Sequence, residues 1–220
     1  MKILTLVAVL AALPLLAAAQ DAVQVDPGHY KVLIDNAAVR VLKVDVAPGA
    51  KSPMHSHPDA LLVPLTSGTA RFTLPDGKTE ERLLTKETAS YTPASTHAPA
   101  NVGTSKVEAI LVEFKAKSPG TATVPTSRPG LEQAVLVESP RAVAFKTTTA
   151  PDFQEPAGST HEFDQVVIAL GSGDVLLDVE GQTPVTKWQR GDVQFIPRGV
   201  KHSAKNTGGK AMDVIIVAIR

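Results

Sequence analysis

The chain has 220 residues, 43% of them hydrophobic, which is enough for one large domain or two of about 100 residues each. Its 22 Lys+Arg balance 22 Asp+Glu without any basic cluster, which argues against nucleic acid or an anionic membrane surface as a partner. There is no cysteine, so disulfides, zinc-thiolate sites, iron-sulfur clusters and thiol nucleophiles are excluded, and any metal must be held by nitrogen and oxygen.

Taken in chain order, the first segment is MKILTLVAVLAALPLLAAAQ. One basic residue (Lys2), an apolar run from Ile3 to Leu16 and the small residues Ala17, Ala18 and Ala19 have the three-part pattern of a secretory signal peptide. The run is short for a bilayer span and nothing basic follows it, so the expectation is a leader over 1–19, cleaved after Ala19. No later segment approaches a membrane span. The mature protein is therefore expected to be periplasmic or secreted, with no membrane partner.

Beyond the leader, short runs of Val, Ile, Leu, Phe and Thr alternate with polar residues between Pro and Gly turns. Strands are expected over Val39–Val46, Ala70–Leu74, Val107–Phe114, Val175–Val179 and Met212–Ile219. Asp76-Gly77 and Glu180-Gly181 sit where hairpins should turn. No amphipathic helix of ten or more residues is evident. Between the third and fourth of these strands lies 116-AKSPGTATVPTSRPG-130, in which ten of fifteen residues are Pro, Gly, Ser or Thr, the composition of an exposed connector.

The two sides of that connector repeat each other. Glu108-AILVEF-Lys115 recurs as Asp213-VIIVAI-Arg220, and His97-APA-Asn101 recurs as His202-SAK-Asn206, both at an offset of 105. Pro93 and Pro197, Asp76-Gly77 and Glu180-Gly181, and His57 and His161 correspond at an offset of 104. Near each start, 32-VLIDNAAVRV-41 resembles 135-VLVESPRAVA-144. The chain is a tandem duplication with units at 20–115 and 131–220. Strand-rich units of this kind are expected to close into sandwiches or barrels of about ten strands each, with an enclosed interior.

Five of the six histidines fall at motif or repeat-equivalent places. His55 and His57 are two apart, so on a strand both point to one face, and His97 can reach the same spot from a facing strand. Three converging imidazoles suit a divalent first-row metal. The same residues also fit hydrogen-bonded polar lining of a barrel. His29 lies outside the pattern and is expected at the surface.

These residues resemble the cupin superfamily. Gly191-DVQFI-Pro197-R-Gly199-VK-His202-SAK-Asn206 fits every fixed position of its second motif, G-x5-P-x-G-x2-H-x3-N. Gly49-AKSPM-His55-S-His57-PDA-Leu61-LVPLTS-Gly68 fits its first, G-x5-H-x-H-x3or4-E-x6-G, except that Leu61 stands for the glutamate. Pro93-AST-His97-APA-Asn101 is a looser second motif, with Ser95 for the glycine and the Pro-to-His gap one shorter. In the other copy, Ser159 stands for the first histidine and Gln165 for the glutamate.

The resemblance implies an all-β bicupin, two tandem jelly-roll-like barrels, with a metal held in the first by His55, His57 and His97 and more weakly in the second by His161, Gln165 and His202. Iron, manganese, nickel, copper and zinc all suit such ligands. Three-histidine sites occur in iron dioxygenases of the superfamily, so the expected function is a quercetin-dioxygenase-like oxygenase acting on a small organic molecule. A noncatalytic protein that binds a metal or small ligand is the alternative. The sequence names no general base. Asp59 could substitute for the missing carboxylate, although Pro58 favours a loop role. Asn101 and Asn206 are expected to fix turns. Strand edges of cupins pair into dimers, which implies a homodimer.

Overall fold

The computed structural model describes residues 20–116, 122 and 127–220. The expected leader and most of the connector lie outside these residues. Ala122 is described, and it is buried among Val143, Phe145, Phe163 and Ala218 rather than exposed as the connector's composition suggests.

The first unit opens with one helical turn, α1 (Ala22–Val25), capped by the Asp21 carboxylate, which accepts from the N–H of Val23. Nine strands follow: β1 (Tyr30–Asp35), β2 (Val39–Val46), β3 (His55–His57), β4 (Ala60–Pro64), β5 (Gly68–Thr73), β6 (Thr79–Leu84), β7 (Ser90–Thr92), β8 (Ser95–Asn101) and β9 (Val107–Phe114). The second unit has seven: β10 (Leu131–Glu138), β11 (Ala142–Thr149), β12 (Gln165–Ala169), β13 (Val175–Val179), β14 (Val193–Ile196), β15 (His202–Asn206) and β16 (Met212–Ile219). Both fall short of the expected ten or so. In the second unit the turn through Pro156 and Gly158 directly precedes the stretch corresponding to β3, and Pro184, which has no N–H to give, falls within that corresponding to β6, so these stretches keep isolated bridges such as Ser159↔His202, Leu177↔Val185 and Gly173↔Trp188 in place of ladders.

The topology repeats with the sequence. One antiparallel sheet runs β1-β2-β9-β4-β7 and its counterpart runs β10-β11-β16-β12-β14. The smaller facing sheets are β3-β8-β5-β6 and β13-β15. Each unit is a β-sandwich, and Gly77 and Gly181 take the positive φ, 83° and 80°, that their hairpin turns require.

The two five-stranded sheets pack back to back. Val39, Val41, Leu61, Val63, Ile110 and Val112 of the first unit share one buried core with Ala142, Ala144, Val166, Ile168, Ile215 and Val217 of the second. These strands are covered on both faces, which explains why 109-AILV-112 and 214-VIIVAI-219 are continuously apolar. Polar links fasten the rim. Arg190 donates to Leu65 O (2.8 Å) and pairs with Glu108, Lys146 reaches Glu87 (3.2 Å), and Arg141 reaches Asp59 (3.3 Å). Asp59 also accepts from Ala94 N (2.9 Å), so it has the loop role that Pro58 suggests.

Candidate metal centre

On β3 the two-residue period turns His55 and His57 inward together, and both are buried. In the β3–β8 ladder His55 is the direct partner of His97, which brings the third imidazole alongside. The ring centroids are 4.8 Å (His55–His57), 5.3 Å (His55–His97) and 5.5 Å (His57–His97) apart, and one nitrogen of each ring lies within 4.8 Å of the others. Tyr30 packs edge-on to His55 at 5.0 Å. Its burial pushes the phenol pKa up, so the hydroxyl stays protonated.

Hydrogen bonds fix which nitrogens face inward. His55 Nδ1 lies 2.8 Å from Pro53 O, a group that can only accept, so Nδ1 carries the proton and Nε2 presents its lone pair. That Nε2 is buried without any hydrogen-bond partner, as an atom awaiting a cation would be. His57 Nδ1–H donates to Glu113 Oε1 (2.6 Å), and His97 Nδ1 faces Ser95 Oγ (3.4 Å). Burial lowers the pKa of His55, and it pushes His97 down to about 3 with help from the neighbouring imidazoles. Both are therefore neutral, as ligation demands. The donor set thus fits a first-row divalent ion.

Leu61 is not at this site. It faces away from the histidines into the core shared by the two units, while Ala60 and Leu62 face inward. Ladder register supplies the reason. Ala60 is the partner of Glu113, and the corresponding pair in the second unit is Gln165 and Ala218. The chain between histidine and strand is one residue shorter in the first unit, so Ala60 corresponds to Gln165.

Glu113 is the residue beside the histidines that the motifs did not reveal. It is 1% exposed, and it accepts from His57 through one oxygen and from Arg40 Nε through the other (2.5 Å). Burial alone would raise its pKa, but these hydrogen bonds outweigh that and hold it below the ordinary value. Arg40 in turn pairs with Asp21. A signal was available: Val107, Ala109 and Leu111 face the interior, so parity puts the charged Glu113 there too.

His57 and His97 border a cavity of about 410 Å³ that is also lined by Phe72, Leu62, Tyr91, Leu111 and Arg82, which sits over the Phe72 ring (5.0 Å). No carboxylate of the described residues lines it.

The second unit brings His161 and His202 together, with ring centroids 4.8 Å apart. Burial pushes His161 down to about 4. Gln165 is buried beside them and its Nε2 has no partner. Ser159 turns its hydroxyl to Pro156 O (2.8 Å). Glu155, absent from the motifs, provides a carboxylate oxygen 3.7 Å from His202 Nε2 and is held by Arg128 (3.0 Å). The adjoining cavity is smaller, about 120 Å³. His29 is not a free surface residue: it is partly buried and bonded to Asp26 (2.7 Å).

Two back-to-back sandwiches of duplicated topology, each with histidines converging inside, define the bicupin fold. No protein-family model matches the chain, and no curated protein is similar to it. Among solved structures, AerE from Microcystis aeruginosa is similar with a TM-score of 0.63 and 14% identity, over 87% of this chain and 97% of that one. Salicylate 1,2-dioxygenase from Pseudaminobacter salicylatoxidans is similar with a TM-score of 0.63 and 12% identity, over 87% and 77%. An oxalate decarboxylase matches with a TM-score of 0.60 and 14% identity, over 83% and 69%.

Proposed function

We propose that the first unit is a metal centre held by His55, His57 and His97, and that it serves an oxygenase acting on a small, largely apolar organic molecule. The observation that carries this is the buried, unpartnered Nε2 of His55 beside two further imidazoles at the edge of a large cavity. A bound first-row ion would supply Lewis acidity and, if redox-active, activation of oxygen. The protein's own contribution is orientation and exclusion of water. Phe72 and Tyr91 offer aromatic surface and Leu62 aliphatic surface, and Arg82, which also pairs with Glu80, offers a cation to an acidic group in the cavity. A mutant of the salicylate 1,2-dioxygenase that shares the fold has also been seen in complex with gentisate.

A binding protein without catalysis is the second reading. It is favoured by the lack, among the described residues, of any carboxylate facing the first cavity, since Glu113 is engaged by His57 and Arg40. The leader pattern over 1–19 supports export in either case.

Elemental analysis of the mature protein beside His55→Ala/His57→Ala tests the centre. The expected result is about one iron, manganese, nickel or copper per chain, lost in the variant. Oxygen uptake with salicylate and gentisate as probes then separates the readings, since a binding protein consumes none. A metal-free protein that stays so after reconstitution would overturn the metal centre and leave the binding of a small organic ligand.

A further inference from the structure

In the β4–β9 ladder a small residue faces a long polar one, Ala60 against Glu113. In the second unit the same two places hold Gln165 and Ala218, with the long polar residue on the other strand. The first unit has no carboxylate on β4, where the motif would supply a metal ligand, but it has one directly across the ladder. From β9 the Glu113 side chain passes beside the small Ala60 and ends on His57.

The other side of Glu113 is just as specific. Its partner on β2 is Arg40, which donates to it (2.5 Å) and pairs with Asp21 of the segment ahead of α1. Asp21, Arg40, Glu113 and His57 thus form one chain of ion pairs and hydrogen bonds from the N-terminal segment to a candidate ligand. In the second unit, Val143 partners Ala218, and nothing charged is there. An apolar pair therefore builds this part of the sandwich adequately. Burying a carboxylate and a guanidinium instead carries a desolvation cost that stability alone does not require.

We propose that Glu113 is a positioning residue of the metal centre: it fixes His57 as the Nδ1–H tautomer with Nε2 turned toward His55 and His97, and it returns one negative charge to the outer shell of a site that lacks a carboxylate ligand. Arg40 and Asp21 hold it in place, so docking of residues 20–26 completes the site. This rests on the metal centre proposed above. A carboxylate on the far nitrogen of a ligating histidine orients the ring and makes it a better donor.

The test uses cobalt(II) alone, added to mature metal-free protein and measured by chelator competition, with ¹⁵N NMR of the histidine rings as a readout independent of metal. Glu113→Gln keeps an acceptor and removes the charge, and it should weaken cobalt binding by about 10-fold. Glu113→Ala removes both, should approach a 100-fold loss, and should release His57 into a mixture of tautomers. Glu113→Asp should recover part of the affinity. Wild-type protein that binds cobalt no more than twofold tighter than Glu113→Gln and Glu113→Ala would overturn the inference and leave the metal centre standing. So would a wild-type His57 that carries its proton on Nε2, a result needing no variant to fold. Wild-type protein that binds no cobalt, like His55→Ala/His57→Ala, would overturn the metal centre itself and this inference with it.

Discussion

Ser52 and Glu155 occupy corresponding places in the two units. The Ser52 N–H donates to Pro99 O (2.9 Å) and the Glu155 N–H to Ala204 O (2.7 Å), so each lies beside the strand that carries the third histidine. Ser52 leans on His55 (Oγ to Nδ1, 3.4 Å). Glu155 instead comes within reach of His202, on the side where the second unit has lost its first histidine to Ser159. The loss of an imidazole and the gain of a carboxylate therefore fall in the same corner.

That corner can be rebuilt. The bridge Ser159↔His202 repeats the pairing of His55 with His97, so Ser159→His should set an imidazole beside His202 as in the first unit. Cobalt titration should then show the second unit binding at least about 10-fold tighter, with Glu155→Gln reducing that gain. An unchanged isotherm would mean that Arg128 and Glu155 close the space to a ligand.

Leu61 is fully buried in the core between the units and faces away from the histidines. Leu61→Ala should cost about 2–5 kcal/mol of stability while cobalt stoichiometry stays the same. Leu61→Glu should bury an unpaired charge between the sheets and destabilise further, without restoring a ligand. Trp188, the chain's single tryptophan, is buried in the second unit and reports on it by fluorescence. Because the core is shared, its unfolding transition should move with that of the whole chain followed by circular dichroism.

The histidines were legible because a period of two and a duplicated motif locate them without tertiary information. Strands such as β2, β9 and β16 were legible to the residue, since valine and isoleucine runs end at turn residues. Leu61 was misplaced because a motif that allows three or four intervening residues cannot fix the parity of β4, and parity decides which side chain faces inward. Glu113 was hidden by its counterpart Ala218, which gives the repeat no polar residue to match. Glu155 precedes the motif, in a segment whose approach to β15 depends on long-range pairing. The face shared by the sheets, with no water on either side, erased the alternation that would have shown inside from outside.

Each unit also closes on one asparagine. Asn101 Nδ2 donates to Val46 O (2.9 Å) and Ser105 O (2.8 Å), while its Oδ1 accepts from Gly103 N (3.0 Å). Asn206 does the same with Thr149 O (3.3 Å), Lys210 O (2.7 Å) and Gly208 N (3.0 Å). Both fix turns, as expected. Asn101→Asp should be nearly as damaging as Asn101→Ala, because a carboxylate cannot donate to the two carbonyls. Urea denaturation should show a loss of about 3 kcal/mol for either, given ~1–3 kcal/mol per unsatisfied buried group.

The contact between the units carries its own pH dependence through Glu108. Burial would raise its carboxyl pKa, but Arg190 from the second unit and Lys106 outweigh that and hold it below the ordinary value. A depressed folded-state pKa contributes stability that is fully present above the unfolded value of about 4.3 and is lost as pH falls through the folded value. Arg190 is substantially exposed, so solvent limits the pair to about 0.2–1 kcal/mol, and salt should weaken it further. Glu108→Gln should therefore melt below wild type at pH 7 and converge with it in acid, once the pH is below the folded-state value. Trp188 fluorescence melts at the two pH values measure this. An equal difference at both would show that Glu108 acts through packing, and that Arg190 holds the units together through its bond to Leu65 O.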